Sequence, residues 1–285
     1  MAEGNGNQVF TDAAWAVWGP LVEAVRPKGK TPPKELGRTI SAIFWRHQNG
    51  AKWRAIPAEL GPWWLAAQLF IRWAKQGVWE LIGPRAGERR RSRPLHGISR
   101  RDQHTGARES SGGGEKGGTG ESRDEREVRR FRFAKRRLGR SRGGYGTKAV
   151  AVADAQGRAV AFVLAPGQAH EAPLAPGLLD ILPEAPGWVV GDRGLSSESL
   201  REQIWDMGAQ PAIPAKRNDA SLRCSDFIYI HRNRIERLWG RLKEWRAVAT
   251  RYEKTASSFL GVLCLSAAQD WLKSIMSKCS GSNRA

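Results

Sequence analysis

The chain holds 285 residues, 40% of them hydrophobic, a globular composition with length for one large domain or two modest ones with well-filled cores. Its formal net charge of +19 and isoelectric point near 10.7 imply a polyanionic partner, nucleic acid first, because so much positive charge repels itself until phosphates neutralise it. Neither an apolar run of transmembrane length nor a basic-then-apolar leader is present, which argues against a membrane protein and for a soluble, intracellular one, and Cys224, Cys264 and Cys279, far apart and without CxxC spacing, argue against a disulfide framework or a zinc ribbon.

Eight of the thirteen tryptophans precede residue 80. They lie in a stretch of helical periodicity: Trp15 and Trp18, then Ile40, Ile43, Phe44 and Trp45, then Trp63, Trp64, Leu65, Leu69, Phe70 and Trp73, then Val78 and Trp79. This predicts a small all-helical domain over residues 1–83, with one helix running from Gly61-Pro62 to about Lys75. Aromatics at helical spacing form core more often than ligand platforms, yet the polar faces carry Arg46, Lys52, Arg54, Arg72 and Lys75, which suit DNA phosphates. From Gly83 to Gly143 nineteen Lys and Arg face eight Asp and Glu, with Gly-rich runs and almost no apolar periodicity. Residues 84–143 therefore read as a disordered basic linker.

Strand patterns begin at Lys148. Lys148–Ala153 and Ala159–Leu164 are apolar runs joined by Asp154-Ala155-Gln156-Gly157, a hairpin turn sequence. A short helix over Leu178–Leu182, a buried strand Gly187–Gly191 ending at Asp192, a helix Ser196–Met207 and a strand Gln210–Pro214 follow. The order fits an α/β fold, a mixed sheet covered by helices, over residues 144–275, with 276–285 as a disordered tail.

Tyr229, Arg232, Glu236 and Lys243 come next. At about 100° per residue, the last three lie roughly 300°, 340° and 320° round a helix from Tyr229. Ile235, Leu238, Trp239, Leu242 and Trp245 fill the neighbouring arc, so the helix buries one face and aims a carboxylate, two cations and a phenol along its edge. An ordinary amphipathic helix with an i,i+4 Arg–Glu pair explains the same spacing. Asp192 taken alone reads first as a turn residue pairing with Arg193. Taken together, a carboxylate at a strand end, where α/β proteins place their chemistry, and one on a packed helix can share divalent cations for phosphoryl transfer.

At these residues the chain resembles the DDE-type bacterial insertion-sequence transposases whose third carboxylate lies in a Tyr-Arg-Glu-Lys signature, matched by Tyr229, Arg232, Glu236 and Lys243. Further stretches are similar to the family: Gly50–Pro57, Arg72–Trp79, Gly139–Gly144, Pro166-Gly167-Gln168 with His170, Asp192-Arg193-Gly194, and Arg237 through Tyr252. Leu195 departs from the tyrosine usual after Asp-Arg-Gly. The resemblance implies an RNase H-like catalytic domain preceded by a helical DNA-binding domain. It implies two Mg2+ (or Mn2+) ions held by three carboxylates, and cleavage and strand transfer of double-stranded DNA at terminal repeats and target. It also implies a homodimer at synapsis and a cytoplasmic, nucleoid-associated location. Residue by residue, Asp192 corresponds to the second carboxylate and Glu236 to the third, both metal ligands. By the same resemblance, Tyr229, Arg232, Lys243 and Arg193 would bind or orient DNA.

The first carboxylate, expected on a strand reading Phe-Leu-Asp-Gly-Thr before the hairpin, is missing. Asp102 and Asp124 lie in hydrophilic, strand-poor surroundings, and Asp154 is in the hairpin turn. Suitable codons for Gly97–Ser111 read, one nucleotide out of register, as Ala-Phe-Leu-Asp-Gly-Thr-Ser-Ile-Arg-Ala-His-Glu-Lys-Ala-Ala. A compensated pair of frameshifts replacing about residues 84–115 is the expectation, and with it weak or absent cleavage. The alternatives are a non-catalytic DNA-binding protein derived from a transposase and a structure-specific nuclease on the same fold.

Overall fold

The computed structural model describes residues 10, 12–29, 34–87, 95–104, 139–141, 144–182, 184–215 and 226–281. Asp124, Cys224 and most of the expected linker lie outside them. The chain divides into two units: residues 1–89, 242–253 and 257–285 form the first, and 90–241 with 254–256 the second.

The first unit is helical: α1 (Asp12–Val25), α2 (Leu36–Asn49), α3 (Trp63–Gln76), α4 (Val78–Gly87), the short α9 (Arg246–Ala249) and the long α10 (Ala256–Gly281). Of the N-terminal tryptophans, Trp18, Trp73 and Trp79 are buried in its core, whereas Trp63 and Trp64 are exposed. Trp18 packs edge-on to Phe44 at 4.8 Å, Phe44 to Trp245 at 5.1 Å, and Trp73 lies 5.0 Å from Trp79. Buried indoles need partners for their N–H groups. Trp79 donates to the Phe70 carbonyl at 3.1 Å and Trp18 to Gln269 Oε1 at 3.1 Å. Gly261 lets α10 approach Trp79, since a Cβ there would stand 2.8 Å from the indole Cδ1.

Here the structure draws boundaries differently from the sequence reading. Residues 242–253 and 257–275, expected in the sheet domain, group with the helices, and α10 continues to Gly281 through most of the expected tail. The cause is burial: Phe259, Val262, Leu263, Leu265 and Ala268 are inaccessible on α10, so this helix is core on most sides and has no polar face to mark it by period.

The second unit carries a six-stranded sheet. Its strands are β1 (Leu95–His104), β2 (Gly139–Ser141), β3 (Gly144–Ala153), β4 (Ala159–Pro166), β5 (Trp188–Gly191) and β6 (Gln210–Ala212). The predicted hairpin forms β3 and β4, antiparallel, with Val150 level with Val163. β1 pairs antiparallel with β3 on one edge and parallel with β5 on the other; β6 runs parallel to β5. Helices α5 (Ala175–Leu179) and α6 (Glu198–Asp206) contribute Leu178, Leu200 and Ile204 to a core with Val150, Val152, Val163 and Val189. β1 and β2 correct the sequence reading of 84–143 as linker throughout. The segment reading Leu-His-Gly-Ile-Ser-Arg-Arg-Asp-Gln-His has no apolar alternation, and the strand is defined by backbone ladders on both edges.

Candidate functional site

Asp192 directly follows β5, where the backbone turns into a 3-10 helix, Arg193–Leu195, and Leu195 N–H donates to the Asp192 carbonyl at 3.1 Å. This is the carboxyl end of a strand in the parallel part of the sheet, where α/β folds open a crevice. Asp192 Oδ1 is buried and has no hydrogen-bond partner among the described residues. A buried, unpaired carboxylate oxygen is costly unless a cation or donor meets it. Arg193 is exposed.

The predicted signature helix is built in pieces: α7 (Asp226–Tyr229), a 3-10 turn Ile230–Arg232, then α8 (Asn233–Leu242). Ile235, Leu238, Trp239 and Leu242 are buried and Glu236 is exposed, the faces their spacing predicts. Arg232 Nη1 lies 2.9 Å from Glu236 Oε1, and its guanidinium stands 5.9 Å from the Tyr229 ring centroid. Three of the four signature residues therefore touch in series. Lys243 is not on this helix: α8 ends at Leu242, and Lys243 lies in the turn leading to α9.

What fixes α8 is the hairpin. Gly157, at φ 75°, turns the chain between β3 and β4, and a Cβ there would stand 3.2 Å from the Arg234 carbonyl. Arg241 Nη2 donates to the Gly157 carbonyl at 2.6 Å, and Trp239 packs 6.1 Å from Phe162 of β4. Sequence reading did not single out Arg241, since one arginine on a basic helix carries no signal. α7 lies against β5, and the 3-10 turn lies against both β1 and β5. Tyr229 and Arg232 thus come from a segment packed on the strand that Asp192 follows. His231 in the same turn titrates below its ordinary value, through burial first and the Arg234 cation second.

Asp102 lies in a strand, β1, not in strand-poor surroundings, with Lys148 of β3 opposite it. Ile98 is level with Gly191, so Ser99 corresponds in level to Asp192, and Asp102 is three residues, roughly 10 Å of strand, farther along. Asp154 accepts from the N–H groups of Gln156 and Arg158 and from the Arg158 guanidinium, which makes it the hairpin's clasp. Among the described residues no three His, Cys, Asp or Glu side chains gather where they could hold a metal ion. The unpartnered Asp192 oxygen suits a cation, but the described residues do not gather the three-carboxylate, two-ion centre that the resemblance implies. Cys264 is buried in α10, where burial pushes its thiol well above the ordinary range with Glu80 adding to the shift, as expected of an inert thiol.

Family models match the chain along much of its length. One described as "Putative transposase of IS4/5 family" covers residues 10–82, and two described as "Transposase DDE domain" cover 118–224 and 189–273. The chain is also 33% identical over 87 residues to a "Putative transposase for insertion sequence element IS6501" from Brucella ovis, a match spanning 30% of this chain and 67% of that protein. No solved structure matches it. Among the described residues no helix is long and apolar enough to cross a membrane.

Proposed function

Because the chain belongs to the insertion-sequence transposases, we propose that its sheet-bearing unit is an RNase H-like catalytic domain of a DNA strand-transfer enzyme that has lost the first of its three carboxylates. The observation that carries this reading is the sheet. An antiparallel run β4–β3–β1 continues into β5 and β6 parallel to β1, with Asp192 after β5 and the Tyr229–Arg232 segment against β1 and β5. Asp192 and Glu236 are the second and third carboxylates. Tyr229, Arg232, Lys243 and Arg193 bind or orient DNA, the helical unit binds transposon ends, and two copies synapse them.

An intact centre of this kind holds two Mg2+ or Mn2+ ions, which stabilise the attacking and leaving oxygens of an in-line displacement. This chain offers two carboxylates for them, so the seat is incomplete. The missing one belongs on β1. In the shifted reading of Gly97–Ser111 the aspartate falls at position 100, one residue past the level of Asp192, where this chain has arginine. A compensated frameshift over about 84–115 therefore accounts for both a basic central strand and the gap in the site.

The test is cleavage of duplex DNA taken from the flanks of the element's own gene, with Mg2+ present. The chain as it stands is expected to cleave weakly or not at all. The same chain with Gly97–Asp102 replaced by Ala-Phe-Leu-Asp-Gly-Thr is expected to cleave orders of magnitude faster and to lose that activity on Asp192→Ala. Cleavage by the unaltered chain that Asp192→Ala abolishes would overturn the claim of inactivation. A restored strand that folds without cleaving favours a non-catalytic DNA-binding protein instead. Translating the gene in every frame across the codons for Leu81–Gly120 tests the frameshift itself.

A further inference from the structure

α3 buries one side and leaves the other unusually furnished. Its inward arc, Ala66, Ala67, Leu69, Phe70, Trp73 and Ala74, is buried. Its outward arc carries Trp64 at 48% exposure and Ile71 at 41%, with Gln68, Arg72 and Lys75 exposed between and beside them. At about 100° per residue these five positions fall within roughly 100° of one another, so they form one continuous stripe. Isolated exposed apolar residues are ordinary, but large ones aligned on one helix face mark a contact surface.

Charge selects the partner. α3 contains no Asp or Glu along its fourteen residues, and the exposed Lys52 and Arg54 precede it. Arg54 is stacked 5.5 Å from the Trp63 ring. A positive, partly apolar helix is complementary to a polyanion that also offers methyl groups and base edges. We propose that α3 is the helix with which the helical unit reads duplex DNA sequence, lying in a major groove. The proposal rests on the transposase reading and deepens it by naming the element and residues that give specificity.

The dimensions agree, since a helix about 10–12 Å across enters a groove about 12 Å wide, and α3 is about 21 Å long. Gln68 and Arg72, one turn apart, are the groups able to make paired hydrogen bonds to base edges, Gln to adenine and Arg to guanine. Ile71 supplies apolar contact for a thymine methyl. Lys75 and Arg54 at the margins meet phosphates, which position the helix without reading sequence.

The experiment measures binding of the full chain to two duplexes of equal length and composition, one from the DNA flanking its own gene and one scrambled. The unaltered chain is expected to prefer the first. Gln68→Ala and Arg72→Ala should each weaken binding to it roughly 5- to 150-fold while leaving the scrambled duplex nearly unchanged. Lys75→Ala should weaken both alike and lower the salt dependence by about one counterion. These positions are exposed, so thermal unfolding should stay as in the unaltered chain. If the preference exists and survives Gln68→Ala with Arg72→Ala, α3 is not the reading helix, and the transposase reading stands without it. Binding to neither duplex would overturn both. If Ile71→Glu changes only the oligomeric state, the stripe is a contact between copies of this chain and the proposal fails.

Discussion

Two charged groupings, built from similar residues, occupy opposite environments. In the helical unit, Arg46 forms an ion pair with Glu253, His47 Nε2 lies 3.5 Å from the same carboxylate, and all three side chains are buried. The Arg46 guanidinium also lies 4.6 Å from the Trp53 centroid, and Arg251 Nε donates to the Glu253 carbonyl at 3.0 Å. In the sheet unit, Arg232 and Glu236 pair with 39% and 52% of their side chains exposed. The first grouping is sealed and ties residues 46–47 to residue 253 across the sequence. The second is open to a partner. The same chemistry thus serves cohesion where water is excluded, and where it is not the role proposed for it is recognition.

The sharpest way to break this contrast is to remove Glu253. Glu253→Ala leaves Arg46 buried without its counter-charge, and such losses cost about 3–5 kcal/mol, the largest stability effect expected here. Denaturant unfolding measures it, and a loss below about 1 kcal/mol would show that the cluster is wet. Acid probes the same cluster without mutation. Burial would raise the Glu253 carboxyl, but His47 and Arg46 outweigh it and hold it below the ordinary value of 4.5. Burial lowers His47 below 6.5, Glu253 opposing and the Arg46 cation reinforcing. Below about pH 6.5 the unfolded chain takes up a proton on His47 that the folded chain resists, so stability falls as pH falls. Below about 4.5 the unfolded chain also protonates Glu253 first, and the loss steepens. Melting of the helical unit should therefore drop in two stages between neutrality and strong acid.

Patterns confined to one element were legible in the sequence. The arc Ile235, Leu238, Trp239 and Leu242 announced a buried face, and Val150, Val152 and Val163 announced a hairpin packed on a core; the structure has both. What escaped was set by neighbours. β1 has no side-chain alternation, and only its pairing with β3 and β5 defines it. Glu253 reads as one acid in a loop, and its burial against Arg46 depends on a contact 207 residues apart. Lys243 satisfied the helical spacing and still fell outside the helix, because periodicity does not report where α8 stops.

A smaller perturbation tests how the open grouping is held in place. Gly157→Ala would put a Cβ at a positive φ and 3.2 Å from the Arg234 carbonyl, costing about 1–2 kcal/mol from the left-handed backbone alone. Because Arg241 also anchors α8 through the Gly157 carbonyl, the strain should appear as faster amide exchange in residues 233–242, with the helical unit untouched. Unchanged exchange there would mean that the hairpin does not position α8.

The smallest stability effect is expected at Arg232, and for that reason it is the most informative about function. An exposed i,i+4 ion pair is worth about 0.3–0.5 kcal/mol, so Arg232→Ala should barely move the unfolding midpoint. If Arg232 faces DNA, the same change should weaken duplex binding and lower its salt dependence by about one counterion. Arg232→Lys should restore the salt dependence, since charge is kept, but only part of the affinity, since the planar fork is lost. A large loss of stability with unchanged DNA binding would instead make Tyr229, Arg232 and Glu236 an ordinary packed helix edge. The contrast with the buried cluster would then vanish, because both groupings would serve cohesion alone.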